Sequence, residues 1–215
     1  MLANLFQRSL FLFVGLLLLP LLFSSSSYAY FTVGESGELP KPGTYRIGAE
    51  PQIVFDDGGF DLSAFADTLL GPDGSIRGQM GVGETNFDAG VSYKWIPIPD
   101  YGNQPAVGGK AEVDWANRKS GGWTSFRIMP LVSKKFETDY GLMTPYAALP
   151  IGLNSAPWGS VTTIQLAGGS EFRNPDYPRW MYSAELGLNL NNAFTYISGN
   201  VTYFLDESEV SSKKR

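Results

Sequence analysis

Between residues 87 and 95 the chain alternates strictly: Phe87, Ala89, Val91, Tyr93 and Trp95 are apolar, and Asp88, Gly90, Ser92 and Lys94 fall between them. Successive side chains of a β-strand point to opposite faces, so this is a strand with one oily side and one polar side. The pattern returns over 107–115, with Lys110, Glu112 and Asp114 on the polar side, and over 180–190, with Glu185. Weaker copies run over 45–55 with Arg46 and Glu50, over 75–83 with Arg77, and over 195–205. Segments 60–68, 123–134 (with Arg127), 142–153 and 160–172 complete a set of about ten strands, eight being the nearest alternative. Turn formers separate them, among them Asp57-Gly58-Gly59, Gly71-Pro72-Asp73-Gly74, Lys119-Ser120-Gly121-Gly122 and Asn174-Pro175-Asp176.

No segment after the N-terminal region has the length and apolarity of a membrane-spanning helix, so such a chain crosses a bilayer only as a closed ring of strands. The expected fold is therefore all-β, an antiparallel up-and-down transmembrane β-barrel over residues 44–205. Its polar face predicts a lumen lined by Arg46, Glu50, Arg77, Asp88, Lys94, Lys110, Glu112, Asp114, Arg127 and Glu185. The aromatics fall at strand ends, where headgroup-level girdles belong. One rim is expected to carry Tyr45, Trp95, Tyr101, Phe136, Tyr140, Phe172, Tyr177, Trp180 and Tyr203, and the other Phe55, Phe60, Phe87, Trp115, Trp123, Trp158 and Phe194. A soluble periplasmic barrel or sandwich would instead pack these aromatics into a core. The grouping of charge on one side of strands whose other side is apolar favours the membrane form.

Two segments strain the scheme. Pro130, Pro145 and Pro150 lie inside required strands, although proline donates nothing to a ladder. Residues 123–134 and 142–153 are also apolar on both faces in part.

The N-terminal region has the layout of a secretory signal: Arg8, an apolar run over 9–23, and the small-x-small site Ser27-Tyr28-Ala29. The expected division is a cleaved signal peptide at 1–29, a periplasmic lead-in at 30–43, the barrel at 44–205 and a polar tail at 206–215, with the mature chain starting at Tyr30. The full chain carries 16 basic and 21 acidic residues, a net charge of -5, and loss of Arg8 with the signal makes it -6. So acidic a chain is a poor nucleic-acid binder.

Cysteine is absent, so no disulfide staples the fold, and histidine is absent too, which removes the commonest general base and metal ligand. Glu112 and Asp114 share one strand face and could do acid-base work, but a salt network with Lys94, Lys110 and Arg127 accounts for them better. The glycine-rich run at 78–83 lacks the lysine and the strand-then-helix setting of a phosphate loop. The acidic turns at Asp56-Asp57 and Glu137-Thr138-Asp139 lack calcium-loop spacing. No catalytic residue, cofactor or metal is expected.

The stretches Arg46-Ile47-Gly48-Ala49-Glu50-Pro51-Gln52, Lys94-Trp95-Ile96-Pro97, Asn103-Gln104-Pro105-Ala106 and Leu131-Val132-Ser133-Lys134-Lys135-Phe136 resemble small outer-membrane β-barrel proteins, closest to uncharacterised barrels of predatory delta-class bacteria. Asp139-Tyr140-Gly141-Leu142 and Gly169-Ser170-Glu171-Phe172 extend the similarity over most of the chain after the signal. The resemblance implies an outer-membrane location, contact with outer-membrane lipid and the barrel assembly machinery, and no particular activity. Such barrels commonly end on an aromatic residue, whereas here Tyr203-Phe204-Leu205 is followed by the polar tail, whose basic end could meet an envelope partner. The expected role is structural or interactive, with a narrow, charge-filled lumen. The alternatives are a small-solute channel and a soluble periplasmic ligand-binding barrel.

Overall fold

A computed structural model describes residues 32–55, 59–84, 86–118, 121–157 and 159–206. The expected signal, the start at Tyr30, Asp56, Asp57, Lys119, Ser120, Trp158 and the tail beyond Asp206 lie outside these residues. Twelve strands are described: β1 (Thr44–Val54), β2 (Gly59–Leu69), β3 (Gly74–Gly83), β4 (Phe87–Ile98), β5 (Ala106–Arg118), β6 (Gly121–Ser133), β7 (Phe136–Thr138), β8 (Gly141–Ala148), β9 (Ile151–Ala156), β10 (Gly159–Arg173), β11 (Trp180–Asn191) and β12 (Tyr196–Asp206).

Consecutive long strands pair antiparallel, and β12 pairs with β1 from Thr44 opposite Asp206 to Val54 opposite Tyr196, which closes the sheet on itself. Strands β8 and β9 occupy one position in the ring, both lying between β6 and β10. The result is a closed antiparallel barrel of ten strand positions, with no free edge in the ring. Strand β7 is an addition at one rim, paired only with β8. The rim where β1 begins and β12 ends is called the near rim below, and the opposite one the far rim.

The prolines explain why one expected strand is divided. Segment 142–153 divides at Leu149-Pro150, because Pro150 has no N–H for either neighbour. Each of the three prolines keeps an accepting carbonyl: Leu149 N donates to Pro130 O at 3.1 Å, Lys134 N to Pro145 O at 3.1 Å, and Gln165 N to Pro150 O at 3.0 Å. Half of the ladder therefore survives at each, and β8 resumes as β9 in the same register against β6, with Leu131 opposite Ala148 and Ile128 opposite Ile151.

Burial follows the two-residue period all round the ring. In β6 every second residue from Trp123 to Ser133 is buried, and Thr124, Phe126, Ile128, Pro130 and Val132 between them are exposed. Outward residues at mid-strand are apolar: Ile47, Val91, Val113, Phe126, Ile128, Leu153, Leu186 and Ile197 are all more than one third exposed. Inward ones are mostly polar or charged, so the barrel is built inside out relative to a water-soluble domain.

Two aromatics expected on the far-rim girdle turn inward instead. Trp123 is 5% exposed and Phe194 is fully buried, and they form a small apolar cluster with Val54, Ala116 and Tyr196 inside the far end of the barrel. Trp123 shares its strand parity with Arg127, which puts both on the inner face. Phe194 lies in the connection between β11 and β12, where no strand period governs direction.

Candidate functional site: the filled lumen

All ten side chains expected on the polar face turn into the barrel and are buried: Arg46, Glu50, Arg77, Asp88, Lys94, Lys110, Glu112, Asp114, Arg127 and Glu185. Neighbouring strands bring them to adjacent heights. Glu112 pairs across the ladder with Arg127, and Lys94 with Lys110. Of the aromatics, Tyr45, Trp95, Trp180 and Tyr203 lie near one rim and Trp115 near the other, with Tyr45, Trp95, Trp115 and Trp180 exposed on the outer surface. Trp180 packs edge-on against Tyr203 with ring centroids 4.9 Å apart.

The lumen is occupied by the chain itself. Residues 32–40, expected as part of a lead-in outside the barrel, run inside it, and Thr32, Val33, Gly34, Glu35, Ser36 and Gly37 are all buried. A segment with no strand partner leaves its backbone groups unsatisfied in a dry interior unless the wall supplies partners, and here the wall does.

One wall is cationic. Glu35 receives Lys94 Nζ at 2.6 Å, Arg46 Nη2 at 3.3 Å, Arg77 Nη2 at 3.3 Å and Lys110 Nζ at 3.4 Å, from β4, β1, β3 and β5. The same cations hold the segment's carbonyls: Lys94 Nζ donates to Ser36 O and Glu38 O, each at 2.8 Å, and Lys110 Nζ to Val33 O at 3.1 Å. Asp67 on β2 keeps the two arginines apart, accepting from Arg46 Nε at 2.5 Å and from Arg77 Nη2 at 2.8 Å. Arg77 also stacks over the inward ring of Phe65 at 4.1 Å. Burial alone would push the Glu35 carboxyl up, but Arg77, Lys94, Lys110 and Arg46 hold it well below the usual carboxylate range.

The opposite wall is anionic and takes the segment's N–H groups. Glu185 on β11 accepts from Val33 N and Gly34 N, each at 2.9 Å, and from the hydroxyls of Tyr146 at 2.6 Å and Tyr196. Glu171 on β10 accepts from Ser36 N at 2.8 Å and Ser36 Oγ at 2.6 Å. Asn200 Nδ2 donates to Gly34 O at 2.9 Å, Gly37 N donates to Ser133 Oγ at 3.0 Å, and the hydroxyl of Thr32 donates to Glu50. Gly34 has φ +65, a left-handed conformation that favours glycine, and a Cβ there would stand 2.7 Å from Glu50 Oε2, so that carboxylate would have to shift.

Glu35, Asp67, Glu171, Tyr146 and Tyr196 are the participants that strand periodicity did not single out. Glu35 lies in an unpatterned stretch. Asp67 and Glu171 share parity with the inward residues of β2 and β10, and that parity is the signal that could have found them.

At the near rim a cavity of about 630 Å³ opens, with Gly37, Leu39, Ile96, Ala106 and Ser133 in its lining. Deeper in the barrel, among the described residues, a gap of about 10 Å³ lies beside Thr32, Glu50 and Gln52. Among the described residues no cluster of acidic side chains has the arrangement of a metal site.

No protein-family model and no curated protein matches the sequence. Solved structures do resemble the fold. A bacterial polysaccharide outer membrane secretin is 11% identical, with 75% of this chain and 65% of that one covered and a TM-score of 0.44, so this chain spans less than two thirds of it. The translocator domain of the autotransporter NalP from Neisseria meningitidis is 12% identical over 77% of this chain and 88% of its own, with a TM-score of 0.46. A transmembrane β-barrel designed de novo is 14% identical over 78% of this chain and 100% of its own, with a TM-score of 0.40. At these identities the likeness is one of fold.

Proposed function

We propose that this protein is an outer-membrane β-barrel with a structural or interaction role, its lumen closed by its own N-terminal segment. The observation that carries this is the inversion of the barrel: a continuous apolar band outside, and ion pairs such as Lys94 with Glu35 and Arg127 with Glu112 buried inside. In water so large an apolar surface would drive aggregation, whereas hydrocarbon suits it. Strands of 10 to 13 residues, as in β3 and β6, are long enough to cross a bilayer when tilted. Exposed Tyr45, Trp95 and Trp180 near one rim and Phe55, Phe60, Phe87 and Trp115 near the other fit two headgroup levels.

The closed lumen favours this role over conduction. The near-rim cavity ends on Gly37 and Leu39, and the segment behind them is bonded to both walls. A non-catalytic role is supported by the lack of histidine and by the engagement of Glu35, Glu171 and Glu185 in holding the segment. Membrane fractionation, followed by a gel of unboiled and boiled samples, tests the reading: a detergent-extracted protein whose mobility changes on heating is expected. A soluble protein with one mobility overturns the membrane assignment, and discrete steps in planar-bilayer recordings overturn the closed lumen.

A further inference from the structure

Resting on that reading, we infer that the interior of the ring is a binding site for an extended acidic peptide, which residues 32–38 fill in cis. The geometry is that of a receptor rather than of incidental packing. Four cations from four different strands converge on the single carboxylate of Glu35. Across the lumen two carboxylates take the backbone N–H groups of Val33, Gly34 and Ser36. The cationic wall takes carbonyls of the same backbone, at Val33, Ser36 and Glu38. A stretched peptide with one acidic side chain between small residues satisfies both walls at once, and few other ligands offer N–H donors on one side and a carboxylate on the other. A free anion would meet the cationic wall but be repelled by Glu171 and Glu185.

The site belongs to the ring and not to the segment, since Arg46, Arg77, Lys94, Lys110, Glu171 and Glu185 all stand on strands. Asp67 bridges two of the cations from behind and so preorganises them without help from Glu35. A peptide supplied in trans therefore finds the site formed once the cis segment is weakened.

The full mature chain tests this with G34P/E35Q, which removes the Glu35 carboxylate and the Gly34 N–H and demands a negative φ where the segment has +65, while leaving every ring residue unaltered. A labelled synthetic peptide of residues 32–39 is added to protein refolded in detergent, and anisotropy is read. The expected result is saturable binding to G34P/E35Q, at least tenfold weaker binding of the same peptide with Gln at position 35, and no binding to the unaltered protein. Equal binding of the Glu and Gln peptides overturns the proposal, as does no binding to a variant that still shows heat-dependent mobility. That last outcome leaves the barrel reading intact. If the variant does not fold, amide hydrogen exchange on the unaltered protein decides: protection at Val33, Gly34 and Ser36 equal to that of mid-strand amides supports the site, and exchange at the rate of a free peptide overturns it.

Discussion

Gly187 sits beneath the ring of Tyr196: the two face each other across β11 and β12, and a Cβ on Gly187 would collide with the ring. The hydroxyl of that ring donates to Glu185, two positions earlier on β11. A missing side chain on one strand thus makes room for an inward tyrosine on the next, and that tyrosine orients the carboxylate receiving Val33 and Gly34.

Replacing Gly187 with valine forces the ring away from Glu185. The expected loss is about 1–3 kcal/mol from overpacking, read as a lower midpoint of heat- or urea-induced unfolding by gel mobility. An unchanged midpoint would show that the ring has somewhere else to go.

Acid should loosen the lumen segment in a defined window. Arg77, Lys94, Lys110 and Arg46 face Glu35 from four strands and hold its carboxyl below the usual range. A folded value below the unfolded one means that the stabilisation is complete above the ordinary glutamate value of about 4.3 and drains away as pH falls toward the folded value. Unfolding midpoints of the unaltered protein and Glu35→Gln, compared from neutral pH downward, should differ by a constant amount above that value and converge below it. A difference that shrinks on going from acid to neutral pH would reverse the sign and refute the assignment.

The outer face makes its own demand. Val113 is exposed at mid-strand and flanked by Val91 and Phe126 on the neighbouring strands. Val113→Lys should cost about 2–4 kcal/mol for protein folded in lipid bilayers. A cost near zero in bilayers would place that face in water.

Lipid contact also separates the tryptophans. In single-tryptophan variants, Trp95, Trp115 and Trp180 should be quenched by brominated lipids, whereas Trp123, enclosed with Val54, Ala116 and Phe194, should keep its emission. Quenching of Trp123 equal to that of Trp115 would mean that β6 has the opposite register.

The ring was legible in the sequence because a two-residue period carries through whole strands such as 87–95 and 180–190, and pairing offsets then follow from short turns. The inward positions of Lys94, Lys110 and Glu185 came from the same alternation. Trp123 was misplaced because β6 has apolar residues on both faces, and its rim position outweighed the parity it shares with Arg127. Segment 32–40 was invisible for a different reason. A chain lying inside a barrel follows no strand period, and its partners lie far away in sequence, 152 positions in the case of Val33 and Glu185. Composition could not show that Glu35 would meet four cations, since that meeting needs β1, β3, β4 and β5 to be curled around it.

The seam between β1 and β12 joins the two ends of the sheet, and β1 is continuous with the segment it encloses. The stretch 32–54 is therefore contents and wall at once, and a pull on Thr44 bears both on its pairing with Asp206 and on the bonds that hold Glu35.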